Sequence, residues 1–407
     1  MKAYERMLRY IKIPTASHKS ATTVPSSENQ WKLAEMLVDE LKELGLADAA
    51  VDESGIVYAH LEATVGYEDS VKLGFIAHMD IVEEATGNEI NPVFHENYDG
   101  TDIPLTYGNT CITVKDFPHL REMKGRTLIT SDGSTLLGVD DKAGIAEIMT
   151  MLEIIQKDQI PHGTLCIAFT PDEEIGTGIF RFDMQRFGAQ YAYSLDGGAE
   201  GEIEYENFNG SKAIFDIHGV SVHPGAGKQK LHNANLIAME INAALPSEDI
   251  PFATEDYEGF YHLVHMSGSV EHATLEYTIR DHNQEYFEFR QELLRHIAKR
   301  MNEKWGDNTV ELKITKQYPN VAGIVENEKH LIEIASQACK KVGVESRIVP
   351  IRGGTDACYL CLNHVPCPNL GTGGFAYHGP LEHTSVEGMD NVTEIIVEIV
   401  KTYATMQ

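Results

Sequence analysis

The sequence predicts an α/β sandwich around a mainly parallel sheet, interrupted by a smaller ferredoxin-like α+β domain. Two observations predict this. Short, nearly continuous apolar runs alternate with helical periodicities in the first half and again after residue 320, as buried parallel strands and their covering helices do. Between them lies a β-α-β-β-α-β order near residues 213–315, the split pattern of a ferredoxin-like module.

In chain order, 1–17 interleaves charged and apolar residues like an amphipathic helix, and 29–45 has helical periodicity ending at Gly45. VKLGFIA (71–77) is an apolar run that reads as a buried strand. A long helix is expected over 141–157, then buried strands at 164–170 and 189–195. The inserted set comprises a strand at 213–219, a helix at 231–244, strands at 261–269 and 272–280, a helix at 284–304 and a strand at 309–315. A helix at 328–342, short strands near 346–350 and 367–370, and a helix from about 390 to 405 complete the chain. The domains are therefore expected as 1–207 with 318–407, and 208–317, about the right size for a small inserted domain. A chain of 407 residues fits about two cores.

The formal net charge is −29, from 33 basic and 62 acidic side chains. Such a surface repels phosphate backbones and anionic membranes, so nucleic-acid binding is disfavoured. No run approaches the roughly 20 apolar residues of a membrane helix, and residues 1–17 lack the apolar core of a secretion signal. The cytoplasm is the expected location. Cys358 and Cys361 form a C-x-x-C with Cys367 nearby. No fourth ligand stands at zinc-knuckle spacing, so buried reduced thiols are expected.

Five segments carry candidate chemistry. His78-Met79-Asp80 follows the strand at 71–77. Positions i and i+2 of an extended chain share a face, so Asp80 can orient the His78 imidazole, as carboxylates do behind metal-binding histidines. An isolated H-x-D is more often an ordinary surface or core pair. Asp140-Asp141-Lys142-Ala143-Gly144 opens a helix, where acids also simply complement the helix dipole. Pro171-Asp172-Glu173-Glu174 ends the strand at 164–170. Three consecutive acids suit a solvated loop, or a crevice where divalent cations offset their charge. Of Glu173 and Glu174, one can then bind metal while the other acts as general base. Asp196-Gly197-Gly198 follows the strand at 189–195 and is by itself a turn. In the glycine-rich 371–383, His378 and His383 are both candidate ligands. Jointly these segments fall at strand ends and a helix start, the edge where open α/β sheets bind ligands. Histidines mixed with carboxylates suit zinc, with cobalt or manganese as substitutes, and argue against calcium.

The set H-M-D, G-V-D-D-K-A-G, P-D-E-E-I-G, L-D-G-G and Y-H-G-x-x-E, with the stretches IPHG, YENFNG, YEGFYHL and PIRGGTDA, occurs in order along nearly the whole chain. It resembles the peptidase T family, tripeptide aminopeptidases among the dinuclear zinc exopeptidases that include aminoacylase and succinyl-diaminopimelate desuccinylase. The resemblance implies a zinc-exopeptidase-like three-layer sandwich with 208–317 as a lid and dimerisation domain. It implies two zinc ions: His78 and Asp196 on one, Glu174 and His378 on the other, Asp140 bridging. Asp80 would orient His78, and Glu173 would be the general base. His223, in V-H-P-G, would stabilise the oxyanion, in relatives from the partner subunit. Arg280 and Arg352 would hold the substrate carboxylate, a match for the guanidinium fork; a surface salt bridge is the alternative for each. His378 keeps its spacing to Glu382 and is therefore preferred to His383. Pro380, Leu381 and His383 depart from the family motif, as do Ile81 and Ala357, and they bear on substrate choice more than on catalysis. A small peptide is the expected substrate and a homodimer the expected assembly. The alternatives are a related dipeptidase or N-acyl amino-acid deacylase, and a non-catalytic peptide-binding relative.

Overall fold

A computed structural model of the chain describes residues 1–83 and 89–406. Two compact units divide it. The larger comprises Met1–Tyr205, Ile324–Val349 and Thr355–Gln407; the smaller comprises Glu206–Gly323 and Pro350–Gly354.

Among the described residues, the main sheet of the larger unit has eight strands. Leu165–Thr170, Leu73–His78, Tyr191–Gly197 and Asn369–Gly371 lie side by side and parallel at its centre. Val57–Leu61 and Glu202–Glu204 flank this centre, antiparallel to Leu165–Thr170 and Asn369–Gly371 respectively. Every residue of Leu73–His78 and of Leu165–Thr170 is buried. That burial explains why these strands read as unbroken apolar runs instead of alternating ones. The helix Val139–Lys157 packs across Leu73–His78 and Tyr191–Gly197, and against the helices Ala3–Tyr10 and Val386–Ala404. The helix Glu28–Glu43 buries Leu33, Leu37 and Leu41 on one face, the spacing of an amphipathic helix. It stops before Gly45, whose φ of +84° is readily adopted only by glycine.

A second, antiparallel sheet in this unit has no counterpart among the expected elements. Its strands are Gly374–Phe375, His383–Ser385, Leu128–Ser131 and Pro92–His95. They are two to four residues long, and they bury Thr130, Ser131, Thr384 and Ser385. So short and polar a set has no hydrophobic period to detect.

The smaller unit has the expected β-α-β-β-α-β order: Asn209–His218, Ala234–Ala243, Phe260–Gly268, His272–Asp281, Gln284–Trp305 and Val310–Tyr318. All strand pairs are antiparallel, in the spatial order second, third, first, fourth. Ala213, Phe215 and Ile217 face a core shared with Ile237, Ile241, Leu294, Ile297 and Met301. The intervening Lys212, Ile214, Asp216 and His218 are not buried, the two-residue period of a sheet covered on one side.

No helix among the described residues is long and apolar enough to cross a membrane. Cys358, Cys361 and Cys367 are free and buried. Burial pushes the Cys358 thiol up to about 12 and the Cys361 thiol up to about 11.

Candidate metal centre

The parallel strands deliver acids and imidazoles to one edge of the sheet. His78 closes Leu73–His78, and Asp196 is the penultimate residue of Tyr191–Gly197. Glu173 and Glu174 follow Leu165–Thr170. Asp140 and Asp141 precede the regular part of the helix Val139–Lys157, with non-helical angles at both; the peptide bond joining them is cis. His378 lies in the link between Gly374–Phe375 and His383–Ser385, held in the left-handed region at φ 64°. The Tyr377 phenol beside it donates to the Gly197 carbonyl at 2.9 Å, tying this link to the end of the Asp196 strand.

Asp140 stands between the two imidazoles. Its Oδ1 is 2.9 Å from His78 Nε2 and its Oδ2 is 3.0 Å from His378 Nε2. Asp196 Oδ1 lies 3.5 Å from His78 Nε2, and Glu174 Oε1 lies 3.2 Å from His378 Nε2. His78 with Asp140 and Glu174, and His78 with Asp141 and Asp196, form two groups whose donor atoms are spaced to hold a metal ion. Burial disfavours charge on His78, yet Asp196 and Asp140 outweigh it and raise its pKa well above the usual range. Hydrogen bonds to Asp140 and Glu174 raise His378 to about 10. Burial pushes up Glu173, Glu174, Asp141 and Asp196, and the acids around them add to it. Buried acids that repel one another in this way call for cations. His78 Nδ1 is buried without a hydrogen-bond partner. The donor set therefore fits a pair of divalent ions of the zinc type.

The surrounding residues hold the donors in place. Asp80 accepts the main-chain N–H groups of Glu173 at 3.0 Å and Glu174 at 3.2 Å, and its Oδ1 is 3.5 Å from His78 Nδ1. Asp141 accepts the N–H groups of His78 at 3.0 Å and Gly144 at 3.2 Å. Lys142 is fully buried and donates to Thr15 Oγ1 at 2.7 Å; burial lowers its pKa to about 8.

Three residues have parts that sequence reasoning does not assign. Asp172 turns away from the centre and binds Ser26 and Gln30, so only two of the three consecutive acids reach it. Glu382, fully buried, accepts the N–H groups of Leu137 and Gly138 at 2.7 Å and of Asp140 at 3.1 Å; its spacing to His378 is the signal that points to it. Asp356 is buried, with Oδ2 unpaired, and burial raises it to about 7. His383 points elsewhere: its Nε2 is 2.9 Å from His119 Nε2.

The Gly144 of D-D-K-A-G has a steric reason. A Cβ there would lie 2.1 Å from the Leu195 carbonyl oxygen and 2.5 Å from Asp141 Oδ1. Gly144→Ala is expected to destabilise the larger unit by about 1–3 kcal/mol, as overpacking does, and to displace Asp141. A lowered thermal midpoint with reduced activity is the expected reading; a wild-type midpoint would show that the helix can shift freely.

The other candidates belong to the smaller unit. His223 Nδ1 accepts the Gly225 N–H at 3.2 Å. Arg280 lies over the Tyr318 ring and donates to Ser211 O, Ile279 O and Gln317 Oε1. Arg352 lies over the Phe208 and Phe260 rings and donates to Thr254, Asp256 and Glu258 carbonyls.

Imidazoles and carboxylates gathered at the carboxyl ends of parallel strands in an α/β sandwich form a centre able to hold metal ions and activate water. The chain belongs to peptidase family M20/M25/M40, whose model matches residues 129–402. It is 47% identical to the Peptidase T of Clostridium acetobutylicum over 403 residues, 98% of each chain. Its fold is similar to that of a tripeptidase from Staphylococcus aureus, with a TM-score of 0.80, 20% identity and coverage of 100% of this chain and 98% of that one. It is also similar to a dinuclear metal-binding M20 peptidase of Bacillus subtilis, with a TM-score of 0.62, 15% identity and coverage of 99% of each chain.

Proposed function

We propose that this peptide hydrolase is a metallo-aminopeptidase that releases the N-terminal residue of tripeptides. The observation that carries the reading is Asp140, with one oxygen on His78 and the other on His378, in a chain 47% identical over its length to a Peptidase T. His78 and Asp196 would hold one divalent ion, Glu174 and His378 the other, with Asp140 shared; zinc suits this set, with cobalt or manganese as substitutes. Two such ions, held by these residues, would supply polarisation of the scissile carbonyl and acidification of the attacking water. Glu173 takes the water's proton on a carboxylate oxygen and passes it to the leaving amine. Asp80 holds the Glu173–Glu174 turn by its main-chain N–H groups and stands behind His78 as orienting carboxylate.

His223 is assigned to the oxyanion, and Arg280 and Arg352 to the substrate carboxylate. Main-chain carbonyls hold both guanidinium groups in place, which supports the arginine assignments. Segment 208–317 is assigned as lid and dimerisation domain. Its edge strand Phe260–Gly268, with exposed Val264 and Met266, supports a homodimer. The cytoplasm is the assigned compartment.

A panel of di-, tri-, tetra- and N-acetylated peptides tests the substrate. Tripeptides with a free amine are expected to give the highest kcat/KM. Preferred cleavage of blocked substrates would make the chain a deacylase, and preferred cleavage of dipeptides a dipeptidase.

A further inference from the structure

Among the described residues outside this centre, one other cluster combines imidazoles with a carboxylate: Asp216, His218 and His272, on the uncovered sheet face of the smaller unit. Asp216 and His218 are two residues apart on the strand Asn209–His218, so they share a face. His272 opens the neighbouring strand and lies directly opposite His218. The bond from Gly219 N–H to the Glu271 carbonyl, 2.8 Å, flanks that pair. It marks His218 and His272 as a non-hydrogen-bonded antiparallel pair, whose Cα atoms approach to about 4.5 Å with side chains closest together.

Both rings turn to one carboxylate. His272 Nε2 is hydrogen-bonded to Asp216 Oδ1, and His218 Nε2 is 3.6 Å from Asp216 Oδ2. The rings are 5.7 Å apart between centroids. The same pattern, one carboxylate facing the Nε2 atoms of two histidines, recurs in Asp140 with His78 and His378. The donor atoms of the trio lie within 4.8 Å of one another. Metal–ligand lengths of about 2.0–2.2 Å place neighbouring donors about 3–3.5 Å apart, so rotation of exposed side chains suffices to seat an ion.

We propose that Asp216, His218 and His272 form a separate binding site for one divalent transition-metal ion of the zinc class, distinct in all its ligands from the metal centre of the larger unit. The ion sits between Asp216 and the two imidazoles and clips the ends of two strands together. Two imidazoles and one carboxylate select zinc, nickel or copper over calcium and magnesium. Three protein donors leave a position open to water or an outside donor, so the site exchanges its ion more readily than a closed four-ligand site.

The test is equilibrium dialysis of the full-length protein against buffered, low-micromolar free zinc, with bound metal counted by elemental analysis. Wild type is expected to hold one more zinc per chain than His272→Gln, and the same excess over Asp216→Asn. Peptidase activity and circular dichroism should be unchanged in both variants, since these residues take no part in the larger unit's centre. His218→Gln, at the opposed position, should lose the same ion and guards against an effect peculiar to one substitution. Equal zinc in wild type and all three variants would overturn the proposal. So would loss of zinc accompanied by loss of activity in every variant, which would trace the ion to the peptidase centre.

Discussion

Replacing Glu173 by alanine is expected to lower kcat by about 10²–10⁴-fold, the range for loss of a positioned general base. That corresponds to about 3–5 kcal/mol of barrier. Bound metal should be unchanged, because Glu173 belongs to neither group of metal-capable donors at the centre. The geometry separates it from its neighbour. Glu174 aims its Oε1 at His378, 3.2 Å away, while the adjacent Glu173 shares only the main-chain anchorage to Asp80. The carboxyl is buried among other acids, which pushes its pKa up, a direction that brings an acid closer to neutral working pH. Steady-state kinetics with metal analysis on the same preparation reads the result. Wild-type turnover would assign the base elsewhere, and a fall in bound metal would make Glu173 a ligand.

Asp140→Ala is expected to have the opposite signature, loss of metal first and activity with it. Removing a shared carboxylate weakens both halves of the centre, since each of its oxygens faces a different histidine. It also leaves His78, which is almost fully buried, without its shortest charged contact, and unpaired buried charge is costly. Metal content after dialysis is expected to fall to less than half that of wild type, and chelation should abolish the activity of wild type as well. Restoration by added zinc or cobalt is expected in wild type and not in the variant. An Asp140→Ala protein that keeps two metals and full turnover would remove Asp140 from the centre.

Much of this site is legible in the amino-acid sequence, and the reason is local. A strand buried on both faces must be apolar throughout, so a histidine or acid at the end of VKLGFIA or TLCIAFT marks where the chain leaves the sheet. The smaller unit is legible through its two periods, 2 for strands and about 3.6 for helices. Less legible is everything decided by residues far apart in the chain. Asp172 and Glu173 are neighbours of the same charge class, yet one turns to Ser26 and Gln30 and the other stays at the centre. Glu382 reaches across more than 240 positions to three N–H groups beside Asp140.

The sequence alone thus determined the strand and helix types, the acids and imidazoles at their ends, and the family to which they point. The tertiary structure decided which of those groups meet. Asp140 lies between two histidines because a short antiparallel sheet with no hydrophobic signature brings the His378 link to the helix start. His218 faces His272 because the strand register sets them opposite. Hydrophobic periodicity reports what one element must bury; the convergence of polar groups follows from sheet order and register, which no single segment of chain records.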